Sequence, residues 1–585
     1  MNLAKNIKAL KQSNPSLNLP QKQDKFSLDE SLNLCFKEGK MYHNVKEELS
    51  QKLIYIKQNY AYYPLLYFYG FGNGTLYKIL CQTQTKIVVF EDDLKLLSLV
   101  FSLIDFSEEL QDKRLVLITN LEELNALFED ELIQTSYKIY TLFSHCAFYE
   151  NEKFELLHTK FKEHFDFLLL QKGNDFQDTL TGMKHTLINL KTMLEKPKFK
   201  DFLNTYRLQN QNAIIVSTGP SLSKQLPLLK EVQEKAVIFA ADSAYAILKK
   251  EGIRADFVFS LERLELTSEF FNQNFNELDE NVLFIIASLT HPNTLKYLKN
   301  QNFLLVLRPF YFEKALRCDE FGYLGVGASV ANMAYECAAA LRFENIIFIG
   351  QDLAYDEKGL SHEKSYTLLH HHKNDFQKDK DRFLCEAYGG GGFVQSSLAW
   401  TLFRLGLQRD ILNAKKLNIN TYNATEGGAR IEGCIEKSFA WCCENLLKTI
   451  KKKLPLKSVK TKVSNASLSL KNLLEKGEKF ETKLKAILCD LEQAINKKQN
   501  LEHFLHNLEQ LSEEFKNQEI CTDLFLALLF DLESQKLKLR AENADILENL
   551  KTQKSYFAEL LRLLKEQNEL LKEQNELLKE QNELI

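Results

Sequence analysis

Three short segments carry residue types whose spacing suits a phosphorylated ligand. In Val216-Ser-Thr-Gly-Pro-Ser-Leu222, an apolar run delivers the chain into Thr218 and Gly219, where backbone can approach a ligand closely. Pro220 suits a helix start because its missing N–H needs no partner there, and Ser221 with the amides behind it would face an anion. A plain strand-to-helix turn uses the same residues. The second segment, Gly325-Val-Gly-Ala-Ser-Val-Ala331, again starts a helix with small residues and offers Gly327 and Ser329 to the same anion. It is followed by Ile346-Ile-Phe-Ile-Gly-Gln-Asp-Leu-Ala-Tyr355, which puts Gly350, Gln351 and the Asp352 carboxylate at the end of a buried strand. The third, Asn423-Ala-Thr-Glu-Gly-Gly-Ala-Arg-Ile-Glu-Gly433, packs Thr425, Glu426 and Gly427 into a stretch too polar for a core, and reads as a ligand loop.

These segments need a scaffold. Short apolar, β-rich runs at 212–219, 235–242, 255–262, 281–288, 303–310 and 345–352 alternate with helical stretches. Six strands in that rhythm predict a doubly wound parallel sheet, with ligands beyond the carboxyl ends of the strands. Those ends carry Asp242 and Glu262 beside the first two segments. An earlier block has strand-like runs at 86–93 and 114–120, and a turn with Gly70, Gly72 and Gly74, with Glu91 closing the next strand. That turn imitates a dinucleotide fingerprint but reads GxGxG, so a tight turn in a Rossmann-like domain explains it equally well.

The fold class is therefore α/β: a Rossmann-like domain over 1–150, a helical linker over 151–210, a central doubly wound domain over 211–445 and an all-α region over 446–585. Gly389–Gly392 mark an active-site insertion within 353–440. The last region opens near seven lysines without an acid (448–462), read as a solvated boundary, and ends in LLKEQNE three times over 563–583. Adjacent leucines with Gln and Asn do not make a clean heptad seam, so self-association through these helices stays open.

With 585 residues, 45% apolar and 26% charged, the chain is long enough for several cores. Its net charge of −4 supplies no global field for nucleic acid. The first twenty residues lack the apolar core of a secretory signal, and the uncharged stretch 58–77 is broken by Pro64 and three glycines, which argues against a membrane span. Eleven cysteines without a CxxC pattern suit a reducing cytoplasm and disfavour zinc, so no metal ligand set is expected.

The GPSL, GVGASVA, GQDLAY and NATEGGARIEG segments together resemble the motility accessory factor (Maf) family of flagellin glycosyltransferases, whose central domain is similar to bacterial sialyltransferases. The match covers 212–262 and 322–433. It departs at Thr218, where those sialyltransferases carry Asn. The resemblance implies transfer of a nonulosonic acid, of pseudaminic or legionaminic type, from its CMP ester to Ser or Thr hydroxyls of flagellin. That work serves flagellum assembly and motility. It implies donor contacts at Thr218, Gly219, Pro220, Ser221, Asp242, Glu262, Gly327, Ser329, Gly350, Gln351, Thr425 and Gly427, with no cofactor and no required divalent metal. By the same analogy a histidine is the base. His362, ten residues past Asp352, is ranked first, with Asp352 and Glu426 as alternatives. His291 also falls near the cleft, while His370, His371 and His372 read as solvated surface. Two rival readings remain. One is a pterin-type pyrophosphokinase, with Asp256 as a metal ligand, although Arg263 stands where a metal cluster wants acids. The other is a non-enzymatic flagellin-binding chaperone or scaffold.

Overall fold

The computed structural model describes the chain except residues 1, 14–18, 21–24, 38, 84, 173–175, 373–374, 381, 453–465, 517–521 and 583–585. It divides into two compact units.

The first unit comprises 1–174, 483–516 and 525–562. Its centre is a parallel sheet of β1 (Leu65–Tyr69), β2 (Lys86–Phe90), β3 (Leu115–Ile118) and β4 (Leu142–Ser144), in the order β3-β2-β1-β4. This is the Rossmann-like arrangement expected. Three short antiparallel strands within 27–40 interrupt the helical reading of the first sixty residues.

The second unit comprises 175–482, 517–524 and 563–585. Its sheet contains β5 (Asn212–Val216), β6 (Val237–Ala241), β7 (Phe257–Ser260), β8 (Leu283–Ala287), β9 (Asn302–Val306), β10 (Asn345–Ile349), β11 (Asn420–Asn423) and β12 (Ile435–Glu436). The order is β9-β8-β7-β6-β5-β10-β11-β12, and every pairing is parallel. β5 to β8 are buried at every position because helices cover both faces of a parallel sheet. From β5 the chain winds outward through β9, then crosses to β10 on the other flank of β5. The order therefore reverses between β5 and β10, which is where a doubly wound sheet opens its ligand crevice. Val216 pairs with Ile349, so the turns following these two strands start level.

The last two strands were absent from the six expected. β11 reads NTYN, without an apolar run, because its polar groups are satisfied by tertiary partners: the Thr421 hydroxyl bonds the buried Tyr335 hydroxyl at 2.7 Å. The helical linker expected over 151–210 is divided between the units. Helix Glu152–Lys172 belongs to the first and Phe176–Glu195 to the second. The latter is anchored on its own unit, Asn189 Nδ2 donating to the Ser288 and Thr290 carbonyls, both at 2.9 Å. From Ala466 the described chain is all helical, but its helices are shared between the two units and do not form a third. Most of the lysine run and the end of the last heptad repeat lie outside the described residues.

Candidate functional site

The turn after β5 is shaped by a carboxylate. A side chain at Gly219 would place its first carbon 2.0 Å from Asp352 Oδ2 and 2.6 Å from the Gly350 carbonyl, so only glycine fits. Asp352, from the turn after β10, leans into this gap. It accepts the Ser221 N–H at 3.2 Å and the Ser221 hydroxyl at 2.7 Å. It thus occupies the amino end of helix Leu222–Val232, the place the sequence had reserved for a phosphate. Ser221 is therefore a partner of Asp352. Burial pushes the Asp352 carboxyl up to about 6.

The segment around Asp352 is braced from three sides. The Gln351 N–H donates to the Thr425 hydroxyl at 3.3 Å, the Ala429 N–H to the Asp352 carbonyl at 2.7 Å, and the Ser396 hydroxyl to the Leu353 carbonyl at 2.8 Å. These contacts hold Leu353 at φ 49°, a left-handed conformation that a leucine adopts only under constraint.

A cavity of about 220 Å³ opens at this switch point. Thr218, Gly219, Asp242, Glu262, Ser329, Gly350, Gln351, Asp352 and His362, all named from the sequence, line it. Ser217 and Ser243, which belong to the same strand ends, line it too; Ser361, Trp400 and Phe403 also line it and were not foreseen. Trp400 and Phe403, three apart at the start of helix Leu398–Lys415, share a helical face; an aromatic pair at that spacing was the available signal.

Five expected donor contacts lie outside the lining. Besides Ser221, Pro220 only leads the chain into it. Gly327 is consumed internally: its N–H donates to Glu336 Oε1 at 2.9 Å and its carbonyl accepts from Arg308 Nη2 at 3.3 Å. Thr425 is fully buried as a brace, and Gly427 packs behind Asp352 and Ser221. Glu426 is exposed, with its carboxylate accepting the Phe439 N–H at 3.2 Å at the start of a helix, so its placement does not support a catalytic role. His291 caps helix Pro292–Tyr297 outside the cavity, His370 and His371 are exposed, and His372 bonds Asp375 at 2.6 Å.

Among the described residues lining the cavity there is no lysine or arginine. Its favourable locus for an anion is the amino end of helix Val330–Ala340, where Ser329 is the cap and Ser329, Val330 and Ala331 all reach the wall. Asp242, at the start of the helix that follows β6, lines the same cavity. Ser260 Oγ donates to it at 2.8 Å and the Ser243 N–H at 2.7 Å, yet complete burial pushes its carboxyl up to about 7. Burial likewise raises Glu262, opposed by Arg263 and Arg308. His362 stacks on Tyr366 with ring centres 4.3 Å apart and contacts the Ser361 hydroxyl at 2.9 Å. Its loop is tied to the first turn by the Glu363 N–H, which donates to the Thr218 carbonyl at 2.8 Å. Burial, with help from His372, lowers the His362 imidazole to about 4, so it is neutral at physiological pH and free to accept a proton.

The raised Asp242 carboxyl has a consequence for stability. In the folded state it holds its proton to higher pH than an ordinary carboxyl, so its contribution is full below about pH 4 and is lost as pH rises toward about 7. Asp242→Asn is therefore expected to remove a stability loss of a few kcal/mol between pH 4 and 7. Both tryptophans, Trp400 and Trp441, lie in the second unit, so urea unfolding followed by tryptophan fluorescence at several pH values reads this directly. A wild-type-minus-variant difference that does not change with pH would contradict the assignment.

Residues 184–358, which carry β5 to β10 and the turns around Gly219, Asp242 and Asp352, match the family described as MptE-like, 6-hydroxymethylpterin diphosphokinase MptE-like. Over nearly its full length the chain shares the fold of the Maf glycosyltransferase from Magnetospirillum magneticum AMB-1. The TM-score is 0.58 at 16% identity, covering 98% of each chain. The α/β class expected from the sequence, with parallel sheets and an all-helical C-terminal region, is thus the class observed. Among curated proteins no relative matches in sequence.

Proposed function

We propose that this chain is a glycosyltransferase that moves a nonulosonic acid from its CMP ester to Ser or Thr hydroxyls of flagellin, in the cytoplasm. The observation that carries the reading is the cavity between β5 and β10, lined by nine residues named from the sequence resemblance, in a fold shared with a Maf glycosyltransferase. No described helix is long and apolar enough to cross a membrane.

In this reading the bond between the anomeric carbon and the CMP phosphate breaks while the acceptor oxygen bonds that carbon. The carbon passes through an oxocarbenium-like state, and the departing phosphate gathers charge. The amino end of helix Val330–Ala340 answers that charge. His362 takes the acceptor proton, the glycine turns let the donor approach backbone, and Asp242 and Glu262 receive sugar or ribose hydroxyls. Trp400 and Phe403 offer faces to the cytosine, a contact worth about 1–3 kcal/mol per base in nucleic-acid proteins. No metal is required by this chemistry.

Intact-mass analysis of flagellin produced with and without this chain tests the reading. A mass increment of nonulosonic acid units that depends on the chain is the expected result; an identical flagellin mass would end it. CMP should also change tryptophan fluorescence, and Trp400→Phe should abolish that change while Trp441→Phe leaves it.

The match over 184–358 favours a second reading, a pyrophosphokinase. Asp256 does not serve it in the cavity. It precedes β7, at the opposite end of the sheet, and accepts from Lys451 Nζ at 2.6 Å. Arg263 is paired with Asp178 at 2.9 Å. Magnesium-dependent release of AMP from ATP would establish this alternative, and its absence alongside flagellin modification would exclude it.

A further inference from the structure

We propose that the first unit holds a second ligand site, for an uncharged ring bearing neighbouring hydroxyls and no phosphate, in a cavity of about 420 Å³ beyond the carboxyl ends of β1 and β2. The position is one that Rossmann-like sheets use for ligands. In a dinucleotide-binding domain the phosphates lie on the glycine turn and a nucleoside lies beside it, next to the acid that ends the second strand.

Here the glycine turn is closed to phosphate. The Phe71 N–H donates to Glu91 Oε2 at 2.9 Å, the Gly72 N–H to the Tyr149 hydroxyl at 3.3 Å and the Asn73 N–H to the Tyr42 hydroxyl at 3.1 Å. The Gly74 N–H donates to the Phe71 carbonyl at 3.1 Å. A side-chain carbon at Gly72 would lie 2.1 Å from His145 Nε2, so nothing enters between turn and imidazole. The amides of the turn at 71–74 are all spent on the protein's own side chains or carbonyls.

The adjoining space remains open, and its walls define what it accepts. Phe26, Tyr69, Phe148 and Tyr149 present aromatic surface, and Phe148 is 43% exposed although its neighbours are buried. The rim is polar. Asp92 pairs with Lys153, and Asp93 pairs with Lys25, so both cations are already neutralised. Glu152 and Asn151 complete the rim. Aromatic faces receive the C–H side of a ring, while carboxylates and an amide accept its hydroxyls. Three rim carboxylates against two paired lysines repel an anion. Glu91 forms part of the lining, its carboxylate turned to the glycine turn and to the Asp93 N–H at 2.9 Å.

Two sources supply such a ring: the ribose of a nucleoside, or a free monosaccharide. The test is saturation-transfer NMR on the full chain with cytidine, adenosine and methyl α-D-glucopyranoside as separate probes, each with excess CMP present to fill the cavity of the second unit. We expect CMP-resistant transfer to the ring protons of at least one probe. Response to the nucleosides alone marks a nucleoside site, and response to the glucoside marks a sugar site. Phe148→Ala and Asp92→Ala, both at the rim, should each weaken the responding probe about tenfold, which corresponds to about 1.4 kcal/mol. Silence of all three probes, or transfer unaffected by both substitutions, would overturn the proposal. The CMP block rests on the proposed donor site, but Phe148→Ala and Asp92→Ala lie in the first unit and distinguish this site from the second unit's cavity whether or not CMP fills it.

Discussion

His362→Ala is expected to lower the rate of sugar transfer by about 10²–10⁴-fold, the usual contribution of a positioned general base, while CMP affinity stays nearly unchanged. The separation follows from position. The imidazole reaches the cavity from the loop at 361–366, a different element from the helix whose amino end would receive the phosphate. A hydroxyl acceptor has a high pKa, so its attack needs a proton acceptor in place. The imidazole, lowered to about 4 by burial, is unprotonated at any ordinary pH. The sign of its pH effect is fixed by this. A base must be neutral, so activity carried by His362 falls only as pH drops toward about 4. Asp242, raised to about 7, would instead produce an acid limb near neutrality. A profile of kcat/KM against pH, measured on wild type, therefore distinguishes the two. A limb near 7 together with a nearly active His362→Ala variant would transfer the role to Asp242.

Gly219→Ala should be strongly damaging to the second unit and to its cavity. The added carbon would lie 2.0 Å from Asp352 Oδ2 and 2.6 Å from the Gly350 carbonyl. The Gly350 turn is itself tightly packed, at φ 63° and with only 2.4 Å between a carbon added there and the Ser217 carbonyl oxygen, and its carbonyl accepts the Gly219 N–H at 2.7 Å. Asp352 must swing away, which leaves the Ser221 N–H and hydroxyl without their acceptor. Overpacking of this kind costs about 1–3 kcal/mol, and an unsatisfied buried donor about as much again. Chemical unfolding should show that loss, and calorimetry should show CMP affinity reduced at least about tenfold. Gly391→Ala is the matched control. It lies in the same unit, with nothing within 4 Å of the added carbon and no left-handed backbone, so it should be neutral. Equal behaviour of the two variants would show that the Gly219–Asp352 approach has no role in the site.

How far the sequence reached can be judged from these residues. Six strands were legible because both faces of a parallel sheet are buried, which writes each strand as an unbroken apolar run. Gly219 and Asp352 were legible as members of one cleft because such sheets place ligands at the strand ends. β11 was not legible, since NTYN gains its stability from the Tyr335 hydroxyl and other partners remote in the chain. Ser221 shows the same limit more sharply. Its position at a helix start was read correctly, but an amide at a helix end binds whichever anion arrives, and Asp352, 131 residues on, is the anion that does.

The sequence alone therefore determined the α/β class, the parallel strands and the neighbourhood of the cavity, because local periodicity and strand-end chemistry are written in contiguous residues. Tertiary structure decided which groups face the cavity and in what protonation state. Glu426 turned to a helix cap, Gly327 to Glu336 and Arg308, and Trp400 and Phe403 to the wall. The shifts at His362, Asp242 and Asp352 likewise come from burial by distant segments, and desolvation of a charge depends on what surrounds it in space, whatever its place in the chain.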